Sequence, residues 1–80
     1  MTLIESIYEI KETVIDLQKY LNSENRIVSK RAQVRYEQWV DRFFRENKHF
    51  VKPEQRISCL DDPACFLKLM DTAIEYYDGN

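Results

Sequence analysis

Four arginines, Arg31, Arg35, Arg42 and Arg45, follow one another at spacings of four, seven and three residues. On an α-helix, with Gln38 filling the gap, they fall within a sector of roughly 80°. Aligned guanidinium groups can grip anions, because each presents a planar fork of donors to a carboxylate or a phosphate. The same row can equally stand as a solvated face, since exposed ion pairs contribute only about 0–1 kcal/mol each. Arg42 has Glu46, and Arg45 has Asp41, at the four-residue spacing that pairs charges along a helix. Arg31 and Arg35 have no acidic neighbour on their own helix and repel each other.

Other residues capable of chemistry are few. Cys59 and Cys65 are separated by five residues and His49 precedes them by nine. Structural zinc sites usually use closely paired cysteine knuckles, which this spacing lacks. A disulfide across residues 61–63 is conceivable, but nothing else points to secretion, so reduced and partly buried thiols are expected. His49 reads as a helix-end cation near the C-terminal dipole. The carboxylates Glu5, Glu9, Glu12 and Asp16 lie on one side of a helix without the Glu-x-x-His partners that a carboxylate metal site requires. The single glycine, Gly79, leaves no glycine-rich loop for phosphates. The expectation is a non-enzymatic chain with neither cofactor nor metal.

Charge is distributed by segment. Residues 1–25 carry two basic and five acidic groups, for a net of −3; residues 26–56 carry nine and four, for +5; residues 57–80 carry one and five, for −4. The basic middle segment could lie along a nucleic-acid backbone, but the acidic flanks would repel the same polyanion. Nucleic acid is therefore the lesser alternative to an acidic protein surface.

The elements that position these groups follow from periodicity. Thr2 and Glu5 form a capping box, and Leu3, Ile7, Ile10, Val14, Leu17 and Leu21 recur at helical intervals behind it. Glu5, Glu9, Glu12 and Asp16 then face solvent on the opposite side. A second apolar row, Ile4, Tyr8 and Ile15, widens the buried face and is a candidate surface for a homo-oligomer. Residues 22–25 make a polar turn. A second helix runs from Arg26 to about Lys48, burying Val28, Ala32, Tyr36, Trp39, Val40, Phe43 and Phe44. Pro53 opens a short helix with Ile57 and Leu60 inward, and Asp62-Pro63 starts a last helix to about Tyr77, with Gly79 as its C-terminal cap. Phe50-Val51 is a candidate rim for a binding groove. Of Tyr76 and Tyr77, one ring is expected inward and the other outward.

These features predict one all-α domain over residues 1–80: a long antiparallel helix hairpin, a short third helix, and a medium fourth helix across the apolar groove. Register in the hairpin sets Asp16 level with Arg35 and Glu5 with Arg45. No apolar run approaches the ~18 residues of a membrane span, and the acidic start is unlike a signal peptide, so a soluble cytoplasmic protein is expected. The functional expectation is a small regulator, inhibitor or adaptor that docks Arg31, Arg35, Gln38, Arg42 and Arg45 on a larger protein with an acidic surface.

Overall fold

The computed structural model describes residues 1–79, which form α1 (Leu3–Leu21), α2 (Arg26–Glu46), α3 (Glu54–Asp61) and α4 (Pro63–Asp78). Side-chain caps start three of them. Thr2 Oγ1 accepts from Glu5 N at 3.1 Å, while Glu5 Oε1 accepts from Thr2 N at 3.2 Å, closing the capping box of α1. Asn25 Oδ1 accepts from Ile27 and Val28 at the start of α2, and Asp62 Oδ1 accepts from Ala64 at the start of α4. Each carboxyl, amide or hydroxyl oxygen satisfies backbone N–H groups that a first helical turn leaves without partners. Ser29 Oγ donates to Leu21 O at 3.0 Å and so closes the α1–α2 turn.

The fold is the expected all-α bundle. α1 and α2 pack as a hairpin, α4 lies against α1, α3 lies against α2, and α3 packs on α4. Ile7, Ile10, Val14 and Leu17 meet Ala32, Tyr36, Val40 and Phe43 in one core, joined by Phe66, Met70, Ala73 and Ile74 of α4. Phe66 presents its ring edge-on to both Tyr36 and Phe43, at centroid distances of 5.9 and 5.4 Å. Such aromatic pairs add about 0.5–1.5 kcal/mol beyond area burial. The large rings of α2 cluster in its C-terminal half.

Two expectations need correction. α2 ends at Glu46 and not at Lys48, because Asn47 leaves the helix and is wholly buried. Asn47 Nδ2 donates to Phe43 O at 2.8 Å, Tyr77 Oη donates to Asn47 Oδ1 at 3.0 Å, and the N–H groups of Phe50 and Val51 donate to Asn47 O. Ile57, expected inward, is 67% exposed, whereas Cys59 is 1% exposed. Two residues along a helix are 200° apart, so burying Cys59 turns Ile57 to solvent. The anchor is Tyr36, whose buried hydroxyl donates to the Cys59 carbonyl.

Gly79 caps α4 as expected, but with φ −73°, in the right-handed region. Its N–H donates to Glu75 O at 2.8 Å, and a Cβ here would stand 2.9 Å from that oxygen. Close approach selects glycine at this position.

Asn47→Ala removes two side-chain hydrogen bonds and is expected to lower unfolding free energy by about 1–3 kcal/mol. Urea denaturation of the variant checks this; an unchanged midpoint would show that the buried amide contributes nothing.

Candidate partner-binding face

α3 and α4 pack against the α1–α2 hairpin, and the arginine row runs along α2, meeting α1 at Arg42 and approaching the start of α3 at Arg45. Arg31, Arg35, Gln38 and Arg45 are exposed. Arg31, Arg35 and Arg45 make no ion pair, side-chain hydrogen bond or ring contact among the described residues. Arg42 differs. Its guanidinium is partly buried, stacks over Trp39 at 5.2 Å, donates to Ser6 Oγ at 3.1 Å, and meets Glu9 and Glu46, each at 3.4 Å. Ser6, itself buried, donates to Glu46 at 2.6 Å. Partial burial works against the Arg42 charge, but the hydrogen bond to Glu9 and the charge of Glu46 outweigh it and raise its pKa. Arg42 thus clamps α1 to α2.

The carboxylates are placed differently from the expectation. Glu9, assigned to a solvent row, reaches across to Arg42. The hairpin register that sets Asp16 level with Arg35 also sets Glu9 level with Arg42; its direction was the part that spacing missed. Asp41, expected to pair with Arg45, instead binds Arg56 Nε of α3 at 2.6 Å. That hydrogen bond and charge hold the Arg56 pKa up. Arg45 is left without its acid. On the C-terminal side, Asp71 bonds to Lys11 at 2.5 Å, so it does not serve Arg31 or Arg35.

Beside Arg31 and Arg35, an open groove of about 280 Å³ runs between the end of α1 and the start of α2. Leu17, Val28 and Ala32 floor it, and Tyr20 forms its far rim. Ile27 and Val34, 65% and 55% exposed, stand four residues before and three after Arg31. Apolar groups therefore accompany the unpaired cations, an arrangement that spacing hinted at only through the β-branched residues among the charges.

The second candidate row lies elsewhere. Ile4 is half-buried, and Tyr8 and Ile15 are 46% and 47% exposed. Lys11, between them, reaches Asp71, so this row borders α4 while the arginine face borders the opposite flank of α1.

Cys59 and Cys65 are free thiols. Burial, and then the neighbouring Cys65, push the Cys59 thiol up to about 12. His49 is not brought to the cysteines; its Nε2 stands 2.7 Å from Tyr77 Oη. Since that hydroxyl donates to Asn47, His49 Nε2–H is the donor to the phenol oxygen. Among the described residues no three His, Cys, Asp or Glu side chains cluster to hold a metal ion, and no helix is long and apolar enough to cross a membrane. No protein-family model, curated protein or solved structure matches the chain.

Burial also raises the Tyr36 hydroxyl, and burial with neighbouring Tyr76 raises Tyr77. With Cys59 these are acids that the fold keeps neutral. The stability they add is whole below their unfolded values, about 8.5 for cysteine and 10 for tyrosine, and is lost as pH climbs through the raised folded values. The urea midpoint is expected to fall between pH 9 and 12, and iodoacetamide at pH 8 is expected to label Cys65 before Cys59. A flat midpoint across that window would contradict the assignment.

Proposed function

We propose that this chain is a non-enzymatic protein-binding module, a small regulator, inhibitor or adaptor, that docks the exposed arginine face of α2 on an acidic partner. One observation carries the reading: Arg31, Arg35 and Arg45 project from one unbroken helix and make no ion pair among the described residues, and Arg31 and Arg35 line an apolar groove. Each arginine can fork onto a partner carboxylate. Solvent-exposed pairs add little by themselves, so Leu17, Val28, Tyr20, Ile27 and Val34 supply the burial that holds the complex. Arginine beside aromatic and apolar anchors is the usual composition of an interface hot spot. Action is steric or conformational: the module occupies or reshapes its partner's surface.

Nucleic acid is the weaker fit. Glu5, Glu12 and Asp16 share the side of α1 from which Glu9 reaches Arg42, because they stand four before, three after and seven after it. A polyanion laid along α2 would meet this carboxylate row. A protein can place acids against the arginines and neutral or basic groups against α1.

Arg42 is excluded from the interchangeable set, since removing it would also unclamp α1. The discriminating variant is Arg31→Glu with Arg35→Glu, which leaves every observed intramolecular bond in place. Affinity capture from the native host, with and without nuclease, is expected to yield a nuclease-resistant protein that the variant loses while its circular dichroism is unchanged. Equal capture by the variant would remove the reading, and nuclease-sensitive capture would favour nucleic acid.

The half-exposed pair Tyr8 and Ile15 supports self-association on the other flank as a second reading. Sedimentation is then expected to give a concentration-dependent dimer that Tyr8→Glu weakens; monomer alone at ~1 mM would dismiss it.

A further inference from the structure

A second opening lies at the other end of α2. Where α2 stops and the chain turns into α3, Phe44, Arg45, Lys48, Val51, Pro53 and Arg56 line an open groove of about 460 Å³. Its floor is apolar: Phe44 is half-buried and Val51 is buried against the core. Its rim is cationic. Arg45 and Lys48 make no ion pair among the described residues, and Arg56 meets Asp41 through Nε. An apolar trough with three positive groups on its edge is complementary to an apolar side chain flanked by carboxylates.

The walls are preformed. The N–H groups of Phe50 and Val51 donate to the carbonyl of buried Asn47, at 2.9 and 3.1 Å, which fixes the descent of the chain below α2. The Arg56–Asp41 pair holds the first turn of α3 against α2. Little ordering is therefore required on binding, which is the main route by which a small contact gains affinity.

We propose that this groove docks an acidic peptide segment of a partner protein, with one bulky apolar side chain on Phe44, Val51 and Pro53 and its flanking carboxylates on Arg45, Lys48 and Arg56. The assignment rests on the protein-binding reading above and adds to it a separate contact with its own ligand chemistry. A free small ligand fits less well, because sites for such molecules enclose most of the ligand surface and this groove is open along its length. Nucleic acid fits less well because the apolar floor of Phe44, Val51 and Pro53 offers a phosphate chain nothing. Arg45 stands between this groove and the Arg31/Arg35 face, so one partner can reach both.

The test is a nitrogen-15 NMR titration of the full chain with a blocked peptide, Asp-Glu-Asp-Phe-Asp-Glu-Asp. Saturable shifts are expected at amides between residues 44 and 56, with a Kd of about 1 mM or tighter. Binding is expected to weaken at least about tenfold when the phenylalanine is replaced by glycine, when the acids are replaced by their amides, and in Arg45→Glu with Lys48→Glu. Arg31→Glu with Arg35→Glu is expected to bind the peptide as before. Absence of saturation, equal affinity for the glycine peptide, loss of binding in the Arg31/Arg35 variant, or tighter binding of a single-stranded oligonucleotide in the same groove would each overturn the proposal. Peptide binding that survives while the Arg31/Arg35 variant still captures its partner would remove the α1–α2 face and leave this groove standing.

Discussion

Asn47 is a primary amide with no exposed surface, and a buried amide is tolerated only where its donors and acceptor are paired. Meeting that constraint organises one whole end of the molecule. The side chain turns back to Phe43 O and ends α2; the carbonyl receives Phe50 and Val51 and sets the connector; Tyr77 closes the bond from α4. His49 joins the same phenol. Without this knot α2 would be free to run on through Lys48, the connector would lose its path, and the trough beneath Phe44 would have no floor.

The remaining long-range bonds divide the work among helix pairs. Arg42 with Glu9 joins α2 to α1, Arg56 with Asp41 joins α3 to α2, and Lys11 with Asp71 joins α1 to α4. All three are at least partly solvated, so each contributes alignment more than stability. The stabilising mass is the core, where Phe66 reaches Tyr36 and Phe43 edge-on and ties the fourth helix to the second. Tyr36 then passes the constraint on, its hydroxyl holding the Cys59 carbonyl and thereby the rotation of α3.

What the fold leaves unpaired is as informative as what it pairs. Glu9, Glu46 and Asp41 are taken by Arg42 and Arg56, and among the described residues unpaired positive charge runs along one edge of α2 at Arg31, Arg35 and Arg45 and past its end to Lys48. Each end of that edge adjoins an apolar groove, floored by Leu17, Val28 and Ala32 at one end and by Phe44 and Val51 at the other. Cation and apolar surface side by side suit carboxylate-bearing, partly apolar partners better than a uniformly charged polymer. Among the described residues, His49 and the cysteines lie in separate settings.

Much of the architecture was legible in the residues alone because its causes are local. The Thr2/Glu5 box, the turn at residues 22–25 and Asp62-Pro63 act within a turn of backbone, and the seam from Leu3 to Leu21 repeats at the helical period whatever it packs against. The fate of each charge was not local. Arg42 and Arg45 look alike along the chain, yet one is clamped and the other free, because helix rotation brings Glu9 and Ser6 to the first while α3 draws Asp41 from the second. Ile57 likewise faces solvent where it was expected inward, because a tyrosine 23 residues away from Cys59 holds that residue's carbonyl and sets the rotation of α3. Sequence by itself determined the helices, their order and the basic character of α2, since propensity, capping and periodicity are short-range properties. Only tertiary structure decided which cations remain open and where apolar troughs adjoin them, since both depend on how three neighbouring surfaces meet around one helix.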